Sequence, residues 1–151
     1  MPPSLSLMRL VSWGLMAVAV AGCLRIESRP CLAQDQPFSL AGKYQLVDGK
    51  IEGKAIDPAA RKAEYVFTAD TITITGQGVT FVMDYKLDTK VQPVTIDMVI
   101  SKGPEGTKGA KAYGIVALQG KELKLAYTMK GKRPADFSGK EGMYFLLEKR
   151  P

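Results

Sequence analysis

From residue 43 onward the chain alternates apolar and polar residues in short segments that are separated by turn-forming residues. The clearest segment is 79–87, in which every odd-numbered side chain is large and apolar. A period of two predicts strands of a sheet with one buried face and argues against a helix. Eight strands are predicted in this way, at residues 43–48, 64–68, 71–75, 79–87, 94–100, 111–118, 122–128 and 143–149.

Short turns join several of the predicted strands. Tight hairpins are expected at Ala69-Asp70, Gly76-Gln77-Gly78 and Gln119-Gly120, where glycine supplies positive φ. Residues 56–62 form the one helical candidate, with Asp57 as its N-cap and Pro58 in its first turn. Strands joined by short turns pair as antiparallel neighbours, and an open sheet of eight would expose its edges. We therefore expect an all-β fold, an eight-stranded antiparallel up-and-down barrel with one short helix.

Two predicted strands are apolar on both faces. Ile115 and Val116 are neighbours on the sixth strand, and residues 144–147 form an aromatic and leucine run on the eighth. Neighbouring residues on a strand point to opposite sides of the sheet. Something outside the barrel is therefore expected to cover these strands, and the helix at 56–62 is the candidate.

Residues 1–22 are expected to be a signal peptide. Arg9 supplies a positive start, and residues 10–21 are apolar apart from Ser12 and Gly14. That run is too short for a stable membrane-spanning helix and is typical of a signal sequence. The sequence Val-Ala-Gly-Cys at 20–23 matches a bacterial lipobox, which would make Cys23 the lipidated residue. Cleavage after Ala21 or after Ala33 remains an alternative.

The domain organisation follows from this leader. Residues 23–39 are assigned to a polar linker or tether, and residues 40–151 to the barrel domain. We expect an exported monomer in the periplasm or cell envelope, attached to the membrane if Cys23 carries lipid. The only two cysteines, Cys23 and Cys31, precede the domain, so no disulfide constrains its core. The net charge of +6 indicates a basic, solvated surface, without the clustering of a nucleic-acid-binding protein.

Gly42-Lys43-Tyr44 resembles the Gly-x-Trp motif that opens lipocalin-type barrels. Residues 40–150 resemble more closely an uncharacterised lipocalin-like domain family of planctomycete bacteria. The matching segments are 94–97, 103–109, 113–115, 118–125, 133–137 and 146–150. The resemblance implies a barrel and export but carries no activity. Because Tyr44 replaces the tryptophan of the motif, we expect it to close the barrel floor through a cation–π contact with Lys149 or Arg150.

Loop parity, the rule that alternate connections of an up-and-down barrel emerge at the same end, predicts which end of the barrel is functional. In an up-and-down barrel the connections 49–63, 76–78, 101–110 and 129–142 share one rim, and nearly all the long loops are among them. Long loops on a rigid scaffold are frequent sites of function. This rim is also basic, through Lys50, Lys54, Arg61, Lys62, Lys102, Lys108, Lys130, Lys132, Arg133 and Lys140.

Lys130, Lys132, Arg133 and Phe137 are the candidate ligand contacts of this rim. Arg133 has a planar fork that suits a carboxylate or phosphate of a ligand. A structural role is favoured instead, because Phe137 is the one bulky apolar residue in a polar loop. In that interpretation Phe137 plugs the barrel mouth, and Arg133 pairs with Asp136 or with backbone carbonyls.

The residue types argue against catalysis. The chain has no histidine, which excludes imidazole bases and histidine-ligated metals, and the domain has no cysteine nucleophile. Asp84 and Asp97 share a strand face, but that face is polar and we interpret them as solvated charges. Phosphate-binding loops and metal-spaced clusters are not found. We therefore predict that the protein is not an enzyme and uses no cofactor or metal.

Two functions stay open. The first is binding of a small apolar or amphiphilic ligand inside the barrel, with the basic rim meeting its polar end. The expected lining residues are Tyr65, Phe67, Phe81, Met83, Tyr85, Met98 and Tyr127. The second is a cell-envelope interaction module for a protein or polysaccharide, with a barrel filled by its own side chains. An eight-stranded barrel is wide enough for one small ligand or for side chains alone.

The processing of the leader can be tested by intact mass. Lipidation predicts a protein of residues 23–151 that carries a diacylglyceryl group, and Cys23→Ser should remove that added mass. The processed protein should show tyrosine fluorescence alone, because Trp13 is the only tryptophan. An unmodified mass of residues 22–151 or 34–151 would contradict lipidation.

Overall fold

The computed structural model describes residues 37–151. The predicted signal peptide (1–22), Cys23 and most of the predicted linker lie outside the described residues. The strands are β1 (Gly42–Ile51), β2 (Lys54–Ala55), β3 (Glu64–Phe67), β4 (Thr71–Gly76), β5 (Val79–Asp88), β6 (Val94–Lys102), β7 (Lys111–Gln119), β8 (Glu122–Thr128) and β9 (Met143–Arg150), with a 3-10 helix at Pro58–Lys62. Within this range no helix has the length and apolar character to cross a membrane.

The strands form one sheet that closes on itself. From β3 to β9 each strand pairs antiparallel with the next. Strand β1 pairs with β3 on one side and with β9 on the other, while β2 extends only the end of β1. The predicted eight-stranded antiparallel up-and-down barrel is therefore confirmed. The barrel strands begin and end within three residues of their predicted bounds.

Alternation along the strands builds the core. Successive side chains of a strand point to opposite faces, so one face of the closed sheet fills the interior. Two irregularities interrupt the ladder: Val47 is an extra residue in β1 opposite β9, and Ser101 is an extra residue in β6 opposite β5. Such bulges bend a strand and re-aim the side chains beyond them. Because of the first bulge, Gly49 faces the interior opposite Phe145.

Aromatic side chains pack one end of the barrel, which we call the closed end. Tyr44 is fully buried and meets Phe67 edge-to-face, with ring centroids 5.4 Å apart. Phe67 in turn contacts Tyr85 at 6.1 Å. The Nζ atom of Lys149 lies 5.9 Å from the centroid of the Tyr44 ring, which confirms the expected cation–π contact. Leu40, just before β1, is also fully buried.

The connection between β8 and β9 covers an apolar patch on the outside of the barrel. Ile115 and Ala126 point outward, yet they are only 3% and 1% exposed. Arg133, from this connection, lies over the outward-facing ring of Tyr113 at 5.9 Å. Strands with two apolar faces are thus covered from outside, as predicted, but by residues 129–142 and not by the helix. The helix stays beside β1, where Arg61 pairs with Asp48 at 3.4 Å.

Phe137 belongs to this outer wall. Its ring packs edge-on against Tyr144 at 6.4 Å, and Tyr144 faces outward on β9 because its neighbour Phe145 points inward. The expectation that Phe137 plugs the mouth of the barrel is therefore wrong. Phe137 packs against the apolar outer surface of β9, and the sequence alone did not indicate that this surface lies next to Phe137.

The hydroxyl of Tyr44 gives a test of the closed end. This hydroxyl is buried without a hydrogen-bond partner in the described part of the chain. A buried, unpaired hydroxyl costs about 1–3 kcal/mol, so Tyr44→Phe should raise the free energy of unfolding by about 1 kcal/mol or more. Tyr85→Phe is the matched control, because the Tyr85 hydroxyl donates to the carbonyl of Thr68 at 2.6 Å. The free energy of unfolding of the Tyr85→Phe variant should be lower than that of the wild type by about 1 kcal/mol.

Urea unfolding followed by circular dichroism measures both variants against the wild type. A Tyr44→Phe protein that is less stable than the wild type would show that the hydroxyl has a partner in solution.

Candidate functional site

Two neighbouring pockets lie at the end of the barrel opposite the closed end, and we call them the two lobes of one cavity. Its first lobe is about 490 Å³ and its second about 380 Å³. The two lobes share the side chains of Tyr65, Ile74 and Phe81. This is the end at which the long connections emerge, as loop parity predicted. We call it the open end.

The connection between β1 and β3 forms one wall of the first lobe. Ile56, Ala60 and Ala63 from this connection line the lobe opposite Phe145. A carboxylate oxygen of Asp57 accepts a hydrogen bond of 2.8 Å from the Ala59 amide and so caps the 3-10 helix, as expected for the Asp-Pro sequence. Small alanines let the helix lie close over the barrel while leaving space beneath it.

The second lobe shares Phe81 with the first lobe and has its own set of walls. Met83, Ile100, Tyr127 and Met143 contribute its walls from four strands. Thr107 and Met129 contribute from two loops, and the Thr107 hydroxyl already donates to the carbonyl of Pro104 at 2.6 Å. Methionine side chains are flexible and adapt to ligands of irregular shape. The lobe is therefore apolar and adaptable.

Exposed apolar residues surround the entrance to the cavity. Ile51 is 45% exposed, Val79 38% and Met129 45%, and each of them also lines a lobe. Large apolar side chains clustered at one opening are characteristic of ligand-binding sites. The mouth thus offers an apolar molecule a path from solvent to the interior.

Two tyrosines place hydroxyl groups in the cavity. Tyr65 is 4% exposed and Tyr127 is 9% exposed, and the ring of Phe145 lies between them at 6.3 Å and 5.8 Å. Both residues line the second lobe, and neither hydroxyl is a fully buried atom without a partner, in contrast to the Tyr44 hydroxyl. Burial raises the pKa of Tyr127 to about 12. Burial, and secondarily the neighbouring Tyr127, raise the pKa of Tyr65 well above its usual value.

The seven predicted lining residues divide between the two ends. Tyr65, Phe81, Met83 and Tyr127 line the cavity. The other three residues, Phe67, Tyr85 and Met98, are buried in the tightly packed part of the core and line neither lobe. All seven face the interior, so the distinction is one of depth along the barrel.

Sequence reasoning missed several lining residues. They are Leu46, Ile51, Ile56, Ala60, Ala63, Ile74, Ile100, Met129, Met143 and Phe145. A usable signal was present for some of them. Ile74, Ile100 and Met143 have inward parity and lie within two residues of strand ends at the long-loop rim. Inward orientation together with closeness to that rim would have identified these three residues as lining the cavity.

The candidate residues of the basic rim lie outside the cavity. Lys130 forms an ion pair with Glu52, and both line a separate polar groove with Lys132, Lys140 and Glu141. This groove has a volume of about 340 Å³. Of the residues that the structure describes, none that lines either lobe of the cavity is a lysine or an arginine. The basic rim is thus spatially distinct from the cavity.

Arg133 is occupied on the outer wall. Its guanidinium donates to the carbonyl of Gly114 at 2.8 Å, to that of Ile96 at 3.3 Å and to the carboxylate of Asp97 at 2.6 Å. Pairing with backbone carbonyls agrees with the structural interpretation, but the acidic partner is Asp97 and not Asp136. Asp97 is therefore held by Arg133, and the register does not place Asp84 opposite it.

No family model, curated protein or solved structure matches this chain. The resemblance to the planctomycete family stays a prediction.

Arg133→Ala should lower the free energy of unfolding by about 1–3 kcal/mol, because three backbone and carboxylate acceptors lose a charged donor. Arg133→Lys should not restore stability, since an ammonium cannot reproduce the planar fork. Lys132→Ala is the neighbouring control and should change the stability by less than about 0.5 kcal/mol. Urea unfolding and limited proteolysis within 129–142 are the measurements. Unchanged stability and proteolysis in Arg133→Ala would contradict this role.

Proposed function

We propose that this protein is a non-enzymatic, lipocalin-like barrel that binds a small apolar or amphiphilic molecule at its open end. One observation carries the proposal: an apolar, two-lobed cavity of about 490 and 380 Å³ opens at the long-loop rim of a barrel whose other end is packed. Ligand sites are mostly apolar concavities with a few polar groups, and this cavity has that composition. The void is large enough for a small ligand, and empty apolar cavities readily accept one.

The N-terminal leader is the only basis for a proposal about cellular location. We propose an exported protein of the cell envelope, tethered by lipid at Cys23, on the pattern of residues 9–23. A tether would hold the barrel near a membrane, where apolar molecules concentrate. Ligand binding does not depend on this part of the proposal.

An interaction module for an acidic partner is the second candidate. The polar groove favours it, because Lys130, Lys132 and Lys140 lie together there. Two carboxylates, Glu52 and Glu141, line the same groove, so three positive charges are offset by two negative ones. The remaining charge is small, and we therefore place the cavity first.

The neutral fluorophore N-phenyl-1-naphthylamine tests the cavity directly. Its emission rises in apolar surroundings, so the purified full chain should give a saturable, one-to-one titration. Ile74→Trp places a large ring between the two lobes and should weaken binding by about tenfold or more, which corresponds to about 1.4 kcal/mol. Thr73→Trp is the matched control, because the adjacent residue points to the opposite face, and it should bind like the wild type.

Two results would contradict the proposal. A wild-type protein that gives no saturable titration would favour a filled barrel and an interaction module. Equal affinity for the probe in Ile74→Trp and Thr73→Trp would place the probe on the outer surface.

A further inference from the structure

We infer that the cavity selects a neutral amphiphile, whose hydroxyl or carbonyl group hydrogen-bonds to Tyr65 and Tyr127, over an anionic one such as a fatty-acid carboxylate. This inference rests on the proposed function and specifies its ligand class. It departs from the expectation that the basic rim would meet the polar end of the ligand.

No lysine or arginine among residues 37–151 lines either lobe of the cavity. Among the described residues, the one charged side chain that lines a lobe is Asp57, which caps the 3-10 helix at the mouth. A carboxylate that entered the cavity would lose its hydration without gaining a cation. Burying an unpaired charge is far more costly than burying a neutral polar group that forms a hydrogen bond. The lining thus disfavours an anion.

The cavity lining supplies neutral hydrogen-bonding groups. A phenol hydroxyl both donates and accepts, so Tyr65 and Tyr127 can pair with a carbonyl or with a hydroxyl of a ligand. Both residues are more than nine-tenths buried and line the second lobe. Unlike the Tyr44 hydroxyl, neither of their hydroxyls is a fully buried atom without a partner. Because burial raises the pKa of each hydroxyl above its ordinary value, both stay protonated at neutral pH.

Aromatic packing holds the two tyrosines in place. The ring of Phe145 packs against both, at 6.3 Å from Tyr65 and 5.8 Å from Tyr127. Gly114, opposite Tyr127 on β7, permits this close packing, since a Cβ there would lie 2.8 Å from Cβ of Tyr127. Side chains fixed before binding lose little freedom when the ligand arrives.

The lysines of the basic rim line the polar groove and not the cavity. Lys130 pairs with Glu52, and Lys132 and Lys140 line the polar groove with Glu141. None of these lysines shares a lobe with Tyr65 or Tyr127. A ligand seated against the two hydroxyls would therefore keep its polar group away from the basic rim.

Competition between chain-matched ligands tests the inference. Octan-1-ol and octanoate are titrated against the bound fluorophore on the full chain, at a pH at which octanoate is ionised. Octan-1-ol should bind at least about tenfold more tightly than octanoate. Tyr65→Phe and Tyr127→Phe should each weaken the binding of octan-1-ol by about threefold to tenfold, which is the scale of one neutral hydrogen bond.

Controls separate loss of the hydrogen bond from loss of the fold. Fluorophore binding by the phenylalanine variants shows that the apolar cavity is intact. Tyr44→Phe changes a phenol at the closed end and should leave the affinity for octan-1-ol at the wild-type value.

Each outcome is decisive. Octanoate that binds as tightly as octan-1-ol, or phenylalanine variants with wild-type affinity for octan-1-ol, would overturn the inference while ligand binding itself stands. Failure of the fluorophore and of both octyl compounds to bind would overturn the proposed function, and the inference with it.

Discussion

Backbone pairing between β1 and β9 is the constraint on which the rest of the structure depends. It joins Lys43 to Arg150 and Ile51 to Met143, residues that lie about a hundred positions apart in the chain. A sheet with one apolar face would otherwise leave two edges and that face in water. Closure removes the edges and turns the apolar face into an interior. Both the packed end and the cavity exist only inside this closed wall.

The two ends of the barrel use that interior differently. At the closed end Tyr44, Phe67 and Tyr85 form a continuous chain of aromatic contacts. At the open end small residues keep the connections close without filling the space: a Cβ on Gly49 would lie 2.7 Å from the Phe145 ring, and one on Gly76 3.0 Å from Cβ of Ala63. An eight-stranded barrel has room for side chains or for a small ligand. In this barrel, side chains fill the interior at the closed end and the cavity occupies the open end.

Charge and ligand chemistry are separated in space. The basic character of the chain is carried by the surface, where Arg61, Lys130 and Arg133 form ion pairs with acidic partners. Arg133 also fastens residues 129–142 over the apolar outer face of β7 and β8, so this cation acts in the fold. Inside the open end, the hydroxyls of Tyr65 and Tyr127 are neutral polar groups. A basic net charge is thus a property of the surface, distinct from what the cavity can recognise.

The sequence by itself determined the strands, their inward faces, the tight turns and the rim that gathers the long loops. These follow from local geometry, because the period of two and the parity of an up-and-down barrel hold wherever the strands lie in space. Only the tertiary structure decided where each inward side chain lies along the barrel axis. Phe81 and Phe67 both point inward, yet Phe81 lines the cavity and Phe67 packs the closed end. The partner of Arg133 was equally non-local, since Asp97 is 36 positions away. A cavity is the volume that packing from many distant segments leaves unfilled, and no local pattern encodes it.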